Sequence, residues 1–234
     1  MSGLFITGTD TGVGKTYVAC LVIQALRSAG VRVAAYKPVC SGAEPDADGK
    51  PVWSDVELLS DASGRQIEPH RICPQTFAAA LAPPAAADLE DATVDESLLR
   101  SGYEWLRERY ETVVVEGAGG LLSPLSESCS SADLAKEFNL PLIVVSADRL
   151  GMINQTLLTI ESAAARGLQI AGVIVNRPRA ERDGSEATNL SQLARSCDVP
   201  ILGLLEFGGT DLLRPSGEAA RIDFHALGDP RYSR

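Results

Sequence analysis

The sequence predicts a doubly wound α/β domain, a mostly parallel sheet with helices packed on both faces. Three features predict it. Short apolar runs rich in Val and Ile recur along the 234 residues without alternating with polar ones, the pattern of strands buried on both faces. Helical patterns separate these runs. A glycine-rich segment joins the first run to the first helix, and sheets of this kind bind ligands at the carboxyl ends of their strands.

Taken in order, residues 4–7 read as the first strand. Residues 17–29 read as a helix closed by Gly30, because the residue after a last helical turn is often left-handed. Residues 31–36 form the second strand, ending at Lys37-Pro38. Residues 41–53, with Gly42, Pro45, Gly49 and Pro51, read as a loop, and residues 78–92, rich in Ala and Pro, as part helix and part loop. A helix over residues 96–110 leads to a third strand, 112–115, closed by Glu116-Gly117. A helix over 132–138, with Asn139 and Pro141 as breakers, leads to a fourth strand, 142–145. A helix over 154–166, stopped by Gly167, leads to a fifth, 170–175, ended by Asn176. A polar loop (177–185), a helix (186–196) and a strand (201–204) follow. With no internal repeat and no linker, one domain over 1–234 is expected.

Composition narrows the function. At 45% hydrophobic and 22% charged residues, the chain is of ordinary globular type, which excludes disordered, collagen-like and disulfide-scaffold classes. No apolar run reaches the roughly 20 residues of a membrane span, and no basic leader precedes the first strand, so a cytoplasmic protein without membrane contact is expected. A net charge of −10, from 21 basic and 31 acidic residues, repels polyanions and argues against nucleic acid. Cys20, Cys40, Cys73, Cys129 and Cys197 include no CxxC pair and read as reduced structural thiols. His70 and His225 read as surface residues.

The strongest chemical signal is the run from Gly8 to Thr16, GTDTGVGKT, between a strand and a helix. Backbone N–H groups at such a helix start face an anion, Gly12 and Gly14 let the chain approach phosphates, Lys15 reaches the β- and γ-phosphates, and the Thr16 hydroxyl suits Mg²⁺. The spacing carries one residue more than GxxxxGK[ST]. This makes the fold one of P-loop NTPase type. Lys37, closing a buried strand, needs a partner, and the phosphate site lies next to it in this topology; a surface loop lysine is the plainer alternative. Glu116, before Gly117-Ala118-Gly119-Gly120, stands where P-loop enzymes place a direct or indirect Mg²⁺ ligand. Asp55 supplies another metal oxygen if its segment folds over the cleft, or else is a helix N-terminal acid. Asn176 carries an amide able to read both edges of a nucleobase, or else is a turn asparagine.

Together these segments resemble the dethiobiotin synthetase family: GTDTGVGKT, Lys37-Pro38-Val39 with Ser41-Gly42, Asp55, VVVEGAGG over 113–120, LGMINQTLLTIE from Leu150, and VIVN over 173–176. The likeness runs to about Leu205. The chain departs from the family pattern at Gly12, at Leu81-Ala82-Pro83-Pro84, where a Ser/Pro/His-like stretch is usual, and over 204–209. The resemblance implies a cyclo-ligase that carboxylates 7,8-diaminononanoate with CO2, activates the carbamate with ATP and closes a cyclic urea. It implies that Lys37, Lys15, Thr11 and Ser41 act in catalysis, and that Thr16, Asp55 and Glu116 hold Mg²⁺. It gives nucleotide contacts to Gly12, Val13, Gly14, Lys15, Thr16, Tyr17, Gly119 and Asn176. Thr11, Lys37, Ser41 and Gly119 orient the diamine, and Asn154 holds its distal carboxylate across a homodimer interface. The apolar set Leu157, Leu158, Ile160 and Ala164 is expected to serve that interface.

The alternative is a regulatory ATPase switch of the MinD/ParA type. Those proteins carry a lysine early in the loop, where this chain has Thr9, Asp10 and Thr11, and often a basic C-terminal helix, where this chain is acidic. An amidoligase of the cobyrinic-acid type normally carries a fused glutaminase domain, for which this chain is too short.

Overall fold

The computed structural model describes residues 2–229; residue 1 and residues 230–234, the ends of the expected 1–234 domain, lie outside the described residues. The elements are β1 (Ser2–Gly8), α1 (Lys15–Ser28), β2 (Val33–Tyr36), β3 (Cys40–Ser41), β4 (Glu44–Pro45), β5 (Pro51–Val52), α2 (Ser54–Ala62), α3 (Pro69–Ile72), β6 (Thr76–Phe77), α4 (Pro83–Asp88), α5 (Glu96–Arg107), β7 (Thr112–Glu116), α6 (Ser131–Glu137), β8 (Leu142–Ala147), α7 (Met152–Ala165), β9 (Ile170–Asn176), α8 (Glu186–Ser196), β10 (Ile201–Leu205), β11 (Leu212–Leu213) and α9 (Phe224–Leu227).

The main sheet runs β11-β10-β9-β8-β1-β7-β2. All pairs are parallel except the edge pair β10–β11. Successive side chains of a strand enter opposite faces, and here both faces are covered. Ile143, Val145 and Ile174 join the larger core cluster with residues of α1, α5 and α6, while Val144, Val173 and Val175 pack with Met152 of α7 and Leu193 of α8. This covering by helices on both sides is why the strands read as unbroken apolar runs.

Chain order departs from β1 in both directions: through α1 to β2 past β7 on one side, and on to β8, β9 and β10 on the other. That reversal opens a crevice at the carboxyl ends of β1 and β7, where a doubly wound sheet binds its ligand. The loops after β1, β2 and β7 therefore meet in one place.

Two predicted boundaries shift for a stated reason. Helix α1 opens two residues early, at Lys15, because Gly14 caps it with φ 91°. Helix α7 opens at Met152 rather than Asn154, because Gly151, with φ 92°, is its cap; Asn154 stands inside the first turn, not at the helix start. The 41–53 segment holds the small β4–β5 hairpin, and 78–92 holds α4 between loop stretches. Among the described residues no helix is long and apolar enough to cross a membrane. All five cysteines are free thiols, and His70 and His225 are exposed.

Candidate active site

The loop from Gly8 to α1 is shaped by its glycines. Gly12 (φ 72°) and Gly14 (φ 91°) occupy left-handed backbone that L side chains rarely adopt. At Gly14 space forbids a side chain as well: an added Cβ would lie 2.1 Å from Asn176 Nδ2. The Asn176 amide, delivered by the end of β9, donates to the Val13 carbonyl at 2.8 Å and so braces the loop from beneath. Asp10 secures its outer side. Its carboxylate accepts from the Thr11 N–H at 2.7 Å and pairs with Arg149 at 3.1 Å, and its carbonyl accepts from Lys15 Nζ at 3.0 Å.

Two strand ends and the first turns of two helices supply a polar cluster beside this loop. Lys37, leaving β2 and only 3% exposed, donates to Asp55 Oδ2 at 2.7 Å and Glu116 Oε1 at 2.6 Å. The Thr16 hydroxyl lies 2.9 Å from Asp55 Oδ1 and 2.8 Å from Glu116 Oε1; its one proton serves one of them at a time. Asp55 is both a first-turn acid of α2 and a member of the cluster, so the two readings of it coexist. Lys37 is not a surface lysine; its charge is compensated within the fold.

The electrostatics follow from burial and pairing. For Lys37, burial works against the charge, but Glu116 and Asp55 outweigh it and hold the ammonium above the ordinary lysine range. For Asp55, burial is again the largest influence and opposes ionisation, but Lys37, with hydrogen bonds from Lys37 and Thr16, brings its pKa below the usual carboxylate value. Burial prevails at Glu116 and pushes its carboxyl upward. Lys15 is lowered, chiefly by burial.

These groups line a cleft of about 600 Å³. Ten of the sequence-predicted site residues border it: Thr11, Gly12, Gly14, Lys15, Thr16, Lys37, Ser41, Asp55, Glu116 and Gly119. Four do not. Val13 is buried under the loop, and Asn176 touches the loop from below. Tyr17 points outward, its hydroxyl donating to the Gly209 carbonyl at 3.2 Å, and Asn154 is exposed on α7. On that helix, Leu157 and Ile160 pack onto the chain's own smaller core cluster, while Leu158 is 56% exposed.

Sequence reasoning missed the rest of the lining, made of Cys40, Ala80, Leu81, Ala82 and Pro83, and missed Ser123, whose Oγ accepts from the Gly120 N–H at 2.8 Å. It also missed a second cleft of about 380 Å³ on the other side of the loop, sharing Thr11 and Gly12 and bounded by Asp148, Arg177, Arg182 and Glu186. There Arg177 bridges Asp148, at 2.9 Å, and Glu206. Asp10 was within reach, since it lies inside the GTDTGVGKT run; the wall residues carry no chemistry that a sequence pattern could flag.

Two carboxylates and a hydroxyl converging at the end of a phosphate loop make a specific donor set. Among the described residues there is no cluster of three or more His, Cys, Asp or Glu of the kind that cages a metal alone. The oxygens of Thr16, Asp55 and Glu116 instead suit a hard cation that takes its remaining ligands from phosphates and water, as Mg²⁺ does. Glu116 Oε2 is buried with no hydrogen-bond partner, an acceptor left open to such an ion.

A family model described as an AAA domain matches residues 2–209. A protein of Anaeromyxobacter dehalogenans strain 2CP-1 is 48% identical over 206 residues, covering 88% of this chain and 90% of its own length. Relatives from Bacillus subtilis strain 168 (41%; 87% of each chain) and Rhodopirellula baltica (39%; 93% and 92%) share the name it carries, ATP-dependent dethiobiotin synthetase BioD. The chain belongs to the dethiobiotin synthetase family. Family membership agrees with the cleft, in which GTDTGVGKT, Lys37 with Ser41, Asp55 and the segment from Glu116 to Gly119 meet. Solved structures of Pyrococcus horikoshii MinD with Mg-ADP (TM-score 0.54, 19% identity, 98% of this chain and 89% of that one) and a Chlorobium tepidum ParA family ATPase (0.53, 12%, 98% and 88%) share the fold alone.

Proposed function

We infer that the chain joins CO2 to 7,8-diaminononanoate and closes the ureido ring of dethiobiotin, converting ATP to ADP and phosphate in biotin synthesis. One observation carries this beyond family membership: a second buried lysine, Lys37, reaches the same cleft as the phosphate-loop Lys15, and that cleft has an apolar wall. Nucleotide hydrolysis alone needs the loop lysine; a reaction with a second anionic partner calls for another cation.

The chemistry runs in three steps. One amine attacks CO2 and loses a proton, giving a carbamate. A carbamate oxygen attacks the γ-phosphorus, and ADP departs with the broken P–O bond. The second amine attacks the carbamoyl carbon, loses its proton and expels phosphate as the C–O bond breaks. Lys15 faces the β- and γ-phosphates, and Lys37, when released from the carboxylates, follows the charge of the carbamate; such transfer depends on positioning and charge neutralisation. The Ser41 hydroxyl already donates to the Leu81 carbonyl at 2.6 Å, so its oxygen is left to accept from an amine N–H. Thr11 and the Gly119 backbone complete the seat. Thr16, Asp55 and Glu116 hold Mg²⁺, which when bound supplies a Lewis acid for phosphate oxygens.

Gly12, Val13, Gly14, Thr16 and Tyr17 bring backbone or side-chain contacts to the phosphates, and the second cleft takes the nucleoside, with Asn176 bracing the loop beneath it. The chain is proposed as one P-loop ATP-binding domain, active in the cytoplasm as a homodimer in which Asn154 meets the distal carboxylate in the neighbour's cleft; exposed Leu158 on the same helix supports that face. A MinD/ParA-type switch has support from fold only. The test is phosphate release from ATP by the purified chain: the reading expects it to require both the diamine and bicarbonate, whereas a switch ATPase is indifferent to the diamine.

A further inference from the structure

We propose that Leu81 is a specificity-determining residue of this site, the side chain that receives the hydrocarbon part of the diamine. The proposal rests on the functional reading above, and it assigns a role to a residue for which the sequence suggested none.

The cleft has two chemically opposed sides. One carries Lys15, Thr16, Lys37, Asp55 and Glu116, which attract ions and amines. The other is the stretch from Ala80 to Pro83, with no polar side-chain atom; Pro83 and Pro84, opening α4, bring no N–H either. No side chain on that side can pair with an amine, a carbamate or a carboxylate, and a polar group pressed against those side chains would lose its water without compensation. The methyl and methylene groups flanking the two amines are the part of the substrate that suits it.

Leu81 stands out on this side because it is 49% exposed on backbone that is held firmly. Its carbonyl accepts from Ser41 Oγ at 2.6 Å and its N–H donates to Ala79 O at 2.9 Å. Just before it, the Ala43 N–H donates to Ala78 O at 2.9 Å, and the Ala78 N–H donates to Glu90 Oε1 at 2.6 Å. A leucine presented at a cleft on pinned backbone offers apolar area that a ligand can bury without also ordering the loop. The Ser41 bond also ties the wall to the strand that follows Lys37, so the apolar and cationic sides are set in register.

The test compares Leu81→Asn, Leu81→Ala and Leu81→Met with the wild type, measuring KM for the diamine and for ATP separately. Loss of a snug apolar contact costs roughly tenfold in kcat/KM. The expected result is a diamine KM raised about tenfold in Leu81→Asn and Leu81→Ala, an ATP KM within twofold, and near-wild-type values in Leu81→Met, whose volume is similar. Leu81 is half exposed, so these variants keep their fold. A diamine KM unchanged in Leu81→Asn overturns the proposal, as does a parallel rise in both KM values, which marks a merely structural effect. If the wild type itself shows no diamine-dependent turnover, the functional reading fails and takes this proposal with it; if the wild type is active and Leu81→Asn matches it, only the role of Leu81 fails.

Discussion

Replacing Lys37 by Met keeps the length of the side chain and removes its charge. In the structure that charge sits 2.7 Å from Asp55 and 2.6 Å from Glu116, with Lys37 and Glu116 both almost wholly buried. Removing one partner of a buried pair leaves uncompensated charge, which costs about 3–5 kcal/mol. For a chain of this size each kcal/mol is roughly 2–4 °C, so thermal unfolding without metal or nucleotide should fall by about 6–20 °C. A divalent cation at Thr16, Asp55 and Glu116 replaces the missing charge, so Mg²⁺ should stabilise Lys37→Met more than it stabilises the wild type. In turnover, loss of a group aimed at developing charge costs about 10²–10³ in kcat. ATP affinity should change by less than about tenfold, because Lys15 and the loop remain. Differential scanning calorimetry with and without Mg²⁺, together with kcat and ATP binding by isothermal titration, reads all three. ATP binding lost with residual chemistry unchanged would refute the division of labour between the two lysines. An Mg²⁺ stabilisation no larger than in the wild type would refute the claim that Lys37 and the metal share the same carboxylates.

Gly14→Ala should fold but lose nucleotide affinity by more than tenfold in titration calorimetry, because its Cβ would meet Asn176 at 2.1 Å and its φ of 91° is strained for alanine. Glu116 is raised and Asp55 lowered, so on acidification Glu116 takes a proton first; Mn²⁺ binding should weaken as pH falls, with a midpoint above the ordinary carboxylate range, and Glu116→Gln should abolish that acid limb. Inactive Lys15→Ala and inactive Asn154→Ala, mixed under conditions of subunit exchange, should regain part of the activity if each site draws on two chains; no recovery places Asn154 outside the neighbour's cleft.

Much of the fold was legible because doubly buried strands leave apolar runs that nothing else in the chain resembles. The six predicted strands lie at β1, β2, β7, β8, β9 and β10. Edge strand β11 and the four-residue helices α3 and α9 were not legible, being too short to show a period. The site was legible where chemistry sits in the side chain. Lys15, Thr16, Lys37 and Glu116 stand at element ends where topology gathers them, although Lys37 and Glu116 are 79 residues apart. It was illegible where function lies in shape. Leu81 and its neighbours read as an Ala- and Pro-rich stretch, part helix and part loop, and hydrogen bonds with Ser41, Ala43 and Glu90 make it a wall. Asn154 was misplaced by one half-turn because a left-handed glycine can open a helix as readily as close one.

The central claim is that one cleft joins CO2, a diamine and the γ-phosphate through a carbamate oxygen. It is tested most directly by a brief turnover with ¹⁸O-labelled bicarbonate, followed by mass spectrometry of the phosphate and the cyclic product before label exchanges with water. Attack of a carbamate oxygen on phosphorus, and departure of that oxygen with the phosphate, predicts one labelled oxygen in each phosphate and one retained in the ring carbonyl. Phosphate released without label, or at the same rate when the diamine is left out, would contradict the account.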